Sequence, residues 1–270
     1  TIVGSDGGGG TLAALVERAP ELTGVEIARP GGSVDRIATG VLVNAAGPLA
    51  PEVGKMCGLE LPLFNELHGK VYLDDAEQVV PRELPLMIWC DPVTLDWGEE
   101  ERAELAADPE LAYLTRPLPG GVHFRPEGGR DSRMLLLLFT YHLGALAPVW
   151  PPKFDPWYPE VALRAVAQMV PGFGVYLSDK MERSFVDGGY YCKTAENRLL
   201  VGPTPVAGFH LMCGLSGYGI MAAAAAAELL GATLTGSTLP EYAAEFRLDR
   251  YDDPVYQARL ARGEFASGQL

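Results

Sequence analysis

The residues best able to do chemistry lie in Gly214-Leu215-Ser216-Gly217-Tyr218-Gly219-Ile220-Met221. Phe209-His210-Leu211-Met212-Cys213 before them reads as a buried strand, and Ala222 to Ala227 with Glu228, Leu229 and Leu230 after them reads as helix. A strand that turns through glycines into a helix leaves backbone N–H groups without partners at the positive end of the helix dipole. Those donors attract a phosphate or the electron-rich edge of a ring, and the missing Cβ atoms let a ligand approach the backbone. A packed turn of no further consequence has the same pattern. Arg125, in His123-Phe124-Arg125-Pro126-Glu127, offers a guanidinium that could clamp a carboxylate, although an arginine at a strand end is more often a surface group. Ser216 follows a strand and precedes a helix, as a hydrolase nucleophile does. The nucleophile elbow needs G-x-S-x-G, however, and position 218 is Tyr.

These groups need a frame to hold them. Gly40-Val41-Leu42-Val43-Asn44-Ala45-Ala46-Gly47-Pro48 is an apolar strand with a small-residue end, the pattern of a central parallel strand with a ligand at its carboxyl end. Gly24–Ala28 and Val34–Ile37 around Pro30-Gly31-Gly32 predict a hairpin, and Leu49–Leu59 predicts a short helix. From Leu63 the pattern changes to separated strands at Leu67–Leu73, Leu86–Cys90, Val122–Arg125 and Met134–Phe139. A helix over Pro159–Val170 and a strand over Tyr176–Phe185 follow. The net charge of −14 argues against nucleic acid or an anionic membrane as partner, since phosphate contacts need an excess of Lys and Arg. The cysteines Cys57, Cys90, Cys192 and Cys213 form no C-x-x-C pair, and the histidines show no metal-ligand spacing. The longest apolar runs, Met134–Phe139 and the helix after Gly219, read as too short to cross a bilayer, and a cytoplasmic setting is expected.

A third segment, Tyr190-Tyr191-Cys192-Lys193-Thr194-Ala195-Glu196-Asn197-Arg198-Leu199-Leu200-Val201-Gly202-Pro203, completes a pattern. Taken in order, the three segments resemble FAD-dependent oxidoreductases of the D-amino-acid oxidase superfamily, on the branch of glycine oxidase, sarcosine oxidase and dimethylglycine dehydrogenase. The resemblance runs from about Thr23 to about Phe246. It implies an α/β (α+β overall) fold: a partial, Rossmann-like FAD-binding domain from residues 20–61 and 190–250, an inserted and mostly antiparallel substrate domain at 62–189, and a C-terminal tail at 251–270. It implies oxidation of a small amine or amino acid by hydride transfer to flavin N5, with O₂ or an electron carrier as acceptor. Ala46, Gly47, Gly214, Ser216, Gly217, Tyr218, Gly219, Ile220 and Met221 would then contact noncovalent FAD. Tyr191 matches a substrate-site tyrosine, and His68 falls in the region that covers the flavin face. Two departures leave the substrate open. The position of the covalent-flavin cysteine is Gly189, and the basic residue that often ends the Gly-rich block is Met221.

The dinucleotide fingerprint G-x-G-x-x-G is the part that fits least. Its one candidate is Gly8-Gly9-Gly10-Thr11-Leu12-Ala13, with a helix-like Leu12–Ala19 and an acidic Glu26 downstream. Asp6 would repel a pyrophosphate, and Glu26 falls inside the hairpin. Gly7–Gly10 is therefore expected to be a mobile segment or surface turn, and the chain to correspond to the C-terminal part of a family member. Full FAD binding would then need an N-terminal segment or a partner subunit. A non-catalytic remnant of the flavoprotein fold is the alternative.

Overall fold

A computed structural model describes residues 11–16, 21–177 and 184–265. In chain order the main elements are β1 (Thr11–Val16), β2 (Leu22–Ala28), β3 (Val34–Ala38), β4 (Leu42–Asn44), α1 (Ala50–Met56), β5 (Phe64–Asp74), β6 (Met87–Trp89) and α2 (Glu99–Ala107). They continue with β7 (Val122–Pro126), β8 (Met134–Leu138), α3 (Tyr158–Met169), β9 (Ser184–Lys193), β10 (Leu200–Pro203), β11 (Phe209–Cys213), α4 (Gly219–Thr235) and α5 (Pro254–Ala261). The chain divides into two compact units, Thr1–Glu66 with Tyr191–Gln269, and Leu67–Tyr190.

In the first unit β10, β11 and β4 form one sheet in that order. β11 runs antiparallel to β10 and parallel to β4, with Phe209 opposite Leu42 and Leu211 opposite Asn44. The architecture expected from the sequence required these two apolar strands to share a sheet, and they are direct neighbours. Apolar residues of the strands pack with Ala50 and Val53 of α1, while Leu199 and Val201 meet Ala226, Leu229 and Leu230 of α4. The Pro30–Gly32 turn closes a β2–β3 hairpin with Ala28 opposite Val34.

Three expectations need correction here. Thr11–Val16, read as the start of a helix, is a strand paired antiparallel with β2, so no helix follows Gly10 at once; Gly7–Gly10 itself lies outside the described residues. The apolar helical stretch Ser216–Thr235 has 20 residues and a mean hydropathy of 1.3, so by length and composition alone it could cross a bilayer. The segment expected as a tail is folded as far as Phe265, with Tyr256 of α5 buried.

The second unit is built on a sheet of order β6-β7-β8-β5-β9. Strand alternation puts Phe124, Leu135, Leu137, Val71 and Leu73 on one face. α3 covers that face with Tyr158, Val161, Ala162, Ala165 and Val166, the i, i+3, i+4 stripe of an amphipathic helix. Tyr176 ends a 3-10 turn over Pro171–Tyr176 instead of starting a strand, and donates its hydroxyl to Asp75 at 2.6 Å; residues 178–183 of that expected strand lie outside the described residues. α2 was not expected from the sequence. Its first turn is Glu99, Glu100 and Glu101, with no apolar stripe, and the Glu101 carboxylate caps the helix by accepting from the Gly98 N–H at 2.8 Å.

Candidate cofactor site at two strand ends

In the first unit, neighbouring parallel strands β4 and β11 end at the same edge of the sheet, and each turns through glycine into a helix. After β4 the chain passes Ala45 and Ala46 to Gly47, whose φ is +55°. A Cβ built on Gly47 would meet nothing within 4 Å, so the turn faces open space. Asn44 fastens this turn from below: its Nδ2 donates to the Ala50 carbonyl at 2.9 Å and its Oδ1 accepts from the Ala46 N–H at 3.3 Å. After β11, Gly214 takes φ +69°, and a Cβ there would come within 2.9 Å of Leu63 Cδ2. Ser216 also takes a positive φ of 53°, and Tyr218 anchors the turn by donating its hydroxyl to the Asn197 carbonyl at 2.6 Å.

α4 then starts at Gly219 with no side chain capping its first N–H groups. The positive end of the helix dipole makes this a favourable seat for an electron-rich group. Ile220 and Met221, at the mouth of this seat, are 98% and 81% exposed. All nine residues expected to touch the cofactor therefore belong to two adjoining turns of one unit. Open space over Gly47, the N-terminal end of α4 and the apolar side chains of Ile220 and Met221 together fit a flat, partly polar ring. The helix that should follow a pyrophosphate loop is absent at Thr11–Val16.

The three side chains expected to work on substrate divide between the units. Tyr191, in the first, is half-buried on β9, and desolvation raises its pKa, so it stays a neutral phenol able to donate. His68 and Arg125, in the second, lie on the sheet face away from α3. His68 is inside β5, buried, with Nδ1 2.9 Å from Thr140 Oγ1. Arg125 is exposed on β7 and paired with Glu127 at 2.7 Å. His123 is on the same strand face as Arg125, and its Nδ1 is 2.8 Å from the Gly121 carbonyl. Burial above all holds the His123 imidazole below its ordinary pKa, with His68 and Arg125 nearby adding to the effect. The covalent-link position, Gly189, lies in β9.

Comparison with known proteins decides the family. The description "FAD dependent oxidoreductase" matches residues 11–233, most of the chain. The chain belongs to this family. FAD is the family's cofactor. No curated protein sequence matches. Among solved structures, iminodiacetate oxidase from Chelativorans sp. BNC1 is 13% identical with a TM-score of 0.58, covering 89% of this chain and 53% of that one. L-proline dehydrogenase from P. horikoshii is 16% identical with a TM-score of 0.54 over the same shares, 89% and 53%. Glycine oxidase from Geobacillus kaustophilus is 15% identical with a TM-score of 0.50, covering 88% and 52%. At such identities these likenesses speak to fold. The chain spans about half the length of each of these structures.

Proposed function

We propose that this chain is the flavin-ring part of an oxidoreductase that oxidises a small amine or amino acid of the glycine, sarcosine or dimethylglycine type, using noncovalent FAD and passing electrons to O₂ or a carrier. One observation carries the reading: two neighbouring parallel strands end in glycine turns at one edge of one sheet, one of them leading into the N-terminal end of α4, which no side chain caps. Neighbours whose names specify iminodiacetate, L-proline and glycine support a substrate that combines an amine with a carboxylate. Glycine at position 189 supports a noncovalent cofactor. The acidic composition and four free cysteines support a cytoplasmic setting.

Bound flavin supplies the two-electron acceptor; the chain's own groups hold and orient. Tyr191 remains protonated and donates a hydrogen bond to a substrate carboxylate or amine. Arg125 takes up a carboxylate by exchanging Glu127 for it, a small cost because both side chains are exposed. His68, fixed by Thr140, orients the substrate beneath the sheet face. The ADP half of the cofactor is held by an N-terminal segment or by a partner subunit.

Gly219→Leu is the sharpest test. Gly219 has ordinary helical φ and ψ, −54° and −44°, and an added Cβ would touch only Leu215 Cβ at 3.5 Å. The variant should keep its melting temperature while losing flavin. Unchanged flavin content would sink the assignment. A non-catalytic remnant gains support from the strand at Thr11–Val16, and it predicts a colourless wild-type chain that takes up no flavin even when the cofactor is supplied.

A further inference from the structure

We propose that Asn65 is a cofactor-contact residue, its side-chain oxygen accepting a hydrogen bond from a ribityl hydroxyl or the ring N–H of the flavin. The inference rests on the flavoprotein reading of the two glycine turns and adds a residue that no sequence pattern marks. Asn65 is the second residue of β5, within the first unit, and is 5% exposed. Its Nδ2 donates to the Pro48 carbonyl at 2.8 Å. Because a carbonyl can only accept, that contact fixes which end of the amide is nitrogen. Oδ1 is left buried with no hydrogen-bond partner.

Pro48 directly follows Gly47, so this acceptor is held at the same turn whose missing Cβ opens onto free space. Two neighbours show how the fold treats other buried polar groups here. Asn44 uses both ends of its amide on the backbone of the turn. Glu66, the residue after Asn65, is matched by Lys193 Nζ at 2.9 Å. A buried acceptor with no donor is a standing cost to the fold, and a ligand that supplies the donor removes it. The chemistry also selects the ligand. An amide oxygen attracts a hydroxyl or an imide N–H and repels phosphate or carboxylate oxygens, so this atom suits the ring and ribityl end of the cofactor, not its pyrophosphate.

The test is titration of the full chain with riboflavin and with lumiflavin, which lacks the ribityl hydroxyls, by fluorescence quenching. Asn65→Leu keeps the volume and removes the acceptor; it should weaken riboflavin binding about tenfold, the typical worth of one well-placed hydrogen bond. Loss confined to riboflavin assigns the donor to a ribityl hydroxyl, and an equal loss with lumiflavin assigns it to the ring. As a measurement independent of how that variant folds, the Asn65 side-chain amide resonance of wild-type protein should shift on saturation with riboflavin. An unmoved resonance, or an unchanged Kd in a folded Asn65→Leu chain, overturns the assignment and leaves the flavin reading standing. Wild-type protein that binds neither flavin overturns both.

Discussion

Two buried polar clusters of the first unit differ in what they hold: one joins opposite charges, the other neutral amides. Where the chain closes on its C-terminal segment, Glu196 and Arg250 form an ion pair at 2.6 Å with both side chains 1% exposed. Glu196 Oε1 also accepts from the hydroxyls of Tyr251 at 2.6 Å and Tyr256 at 3.0 Å, and Arg250 Nη1 donates to the Leu199 carbonyl at 2.8 Å. Glu196 Oε2 and Arg250 Nε stay buried without a hydrogen-bond partner, yet the ion pair and the tyrosine hydroxyls fasten α5. At the Gly47 turn two side-chain amides are equally buried but only partly spent: Asn44 uses both ends, whereas Asn65 uses its nitrogen and leaves its oxygen without a partner. Charges closed on one another serve the fold. Polar atoms left open at a strand end are available to something outside the chain.

Breaking the closed cluster should have the largest effect. Arg250→Ala strands a buried carboxylate and should cost about 3–5 kcal/mol, read as a lowered urea midpoint; an unshifted midpoint would mean that the C-terminal segment is not held by this pair. Acid offers a second route. Burial pushes the Glu196 carboxyl up, but hydrogen bonds from Tyr251, its own backbone N–H and Arg250, with the Arg250 charge, outweigh it and set the folded pKa below the ordinary value. A depressed carboxylate contributes stability that is present above its unfolded pKa and is lost as pH falls through the folded one. Wild type should therefore lose stability below about pH 4.3, the unfolded glutamate value, and Glu196→Gln should lose less over the same range. Parallel acid curves for the two proteins would contradict this.

At the open cluster, Asn44→Ala removes a donor and an acceptor that the turn uses, and should cost about 1–3 kcal/mol in thermal unfolding. Matching stability there would show that the turn is held by other contacts. The smallest effect is expected at Arg125→Ala. Its exposed pair with Glu127 contributes at most about 1 kcal/mol, so the melting temperature should stay nearly constant while affinity for a carboxylate substrate falls. A stability loss larger than its substrate effect would demote Arg125 to a structural residue.

How much of this was legible beforehand depends on the range of the interactions. The β2–β3 hairpin, α1, α3 and the strands at β4 and β11 could be read because turn residues and apolar periodicity are local signals. The adjacency of β4 and β11 followed from the resemblance. α2 escaped because an acidic, weakly amphipathic helix shows no stripe. The Thr11–Val16 strand escaped because Leu12 and Leu15, three apart, suit a helix as well as a strand, and pairing with β2 decided the matter. The ion-pair network joins Glu196 to residues 54 to 60 positions away, and Asn65 reaches Pro48 across 17, distances at which one sequence carries no pattern. Asn65 could have been suspected only as a polar residue entering an apolar strand.

The alanine face of α4 has a thermodynamic corollary. Ala223, Ala224, Ala225 and Ala227 are exposed beside Ile220 and Met221, so the surface there is almost bare helix backbone with methyl groups. Alanine has no rotamers to freeze. A molecule that settles on this wall forfeits none of the side-chain freedom that usually opposes association, and nearly all of the ordering cost falls on the visitor.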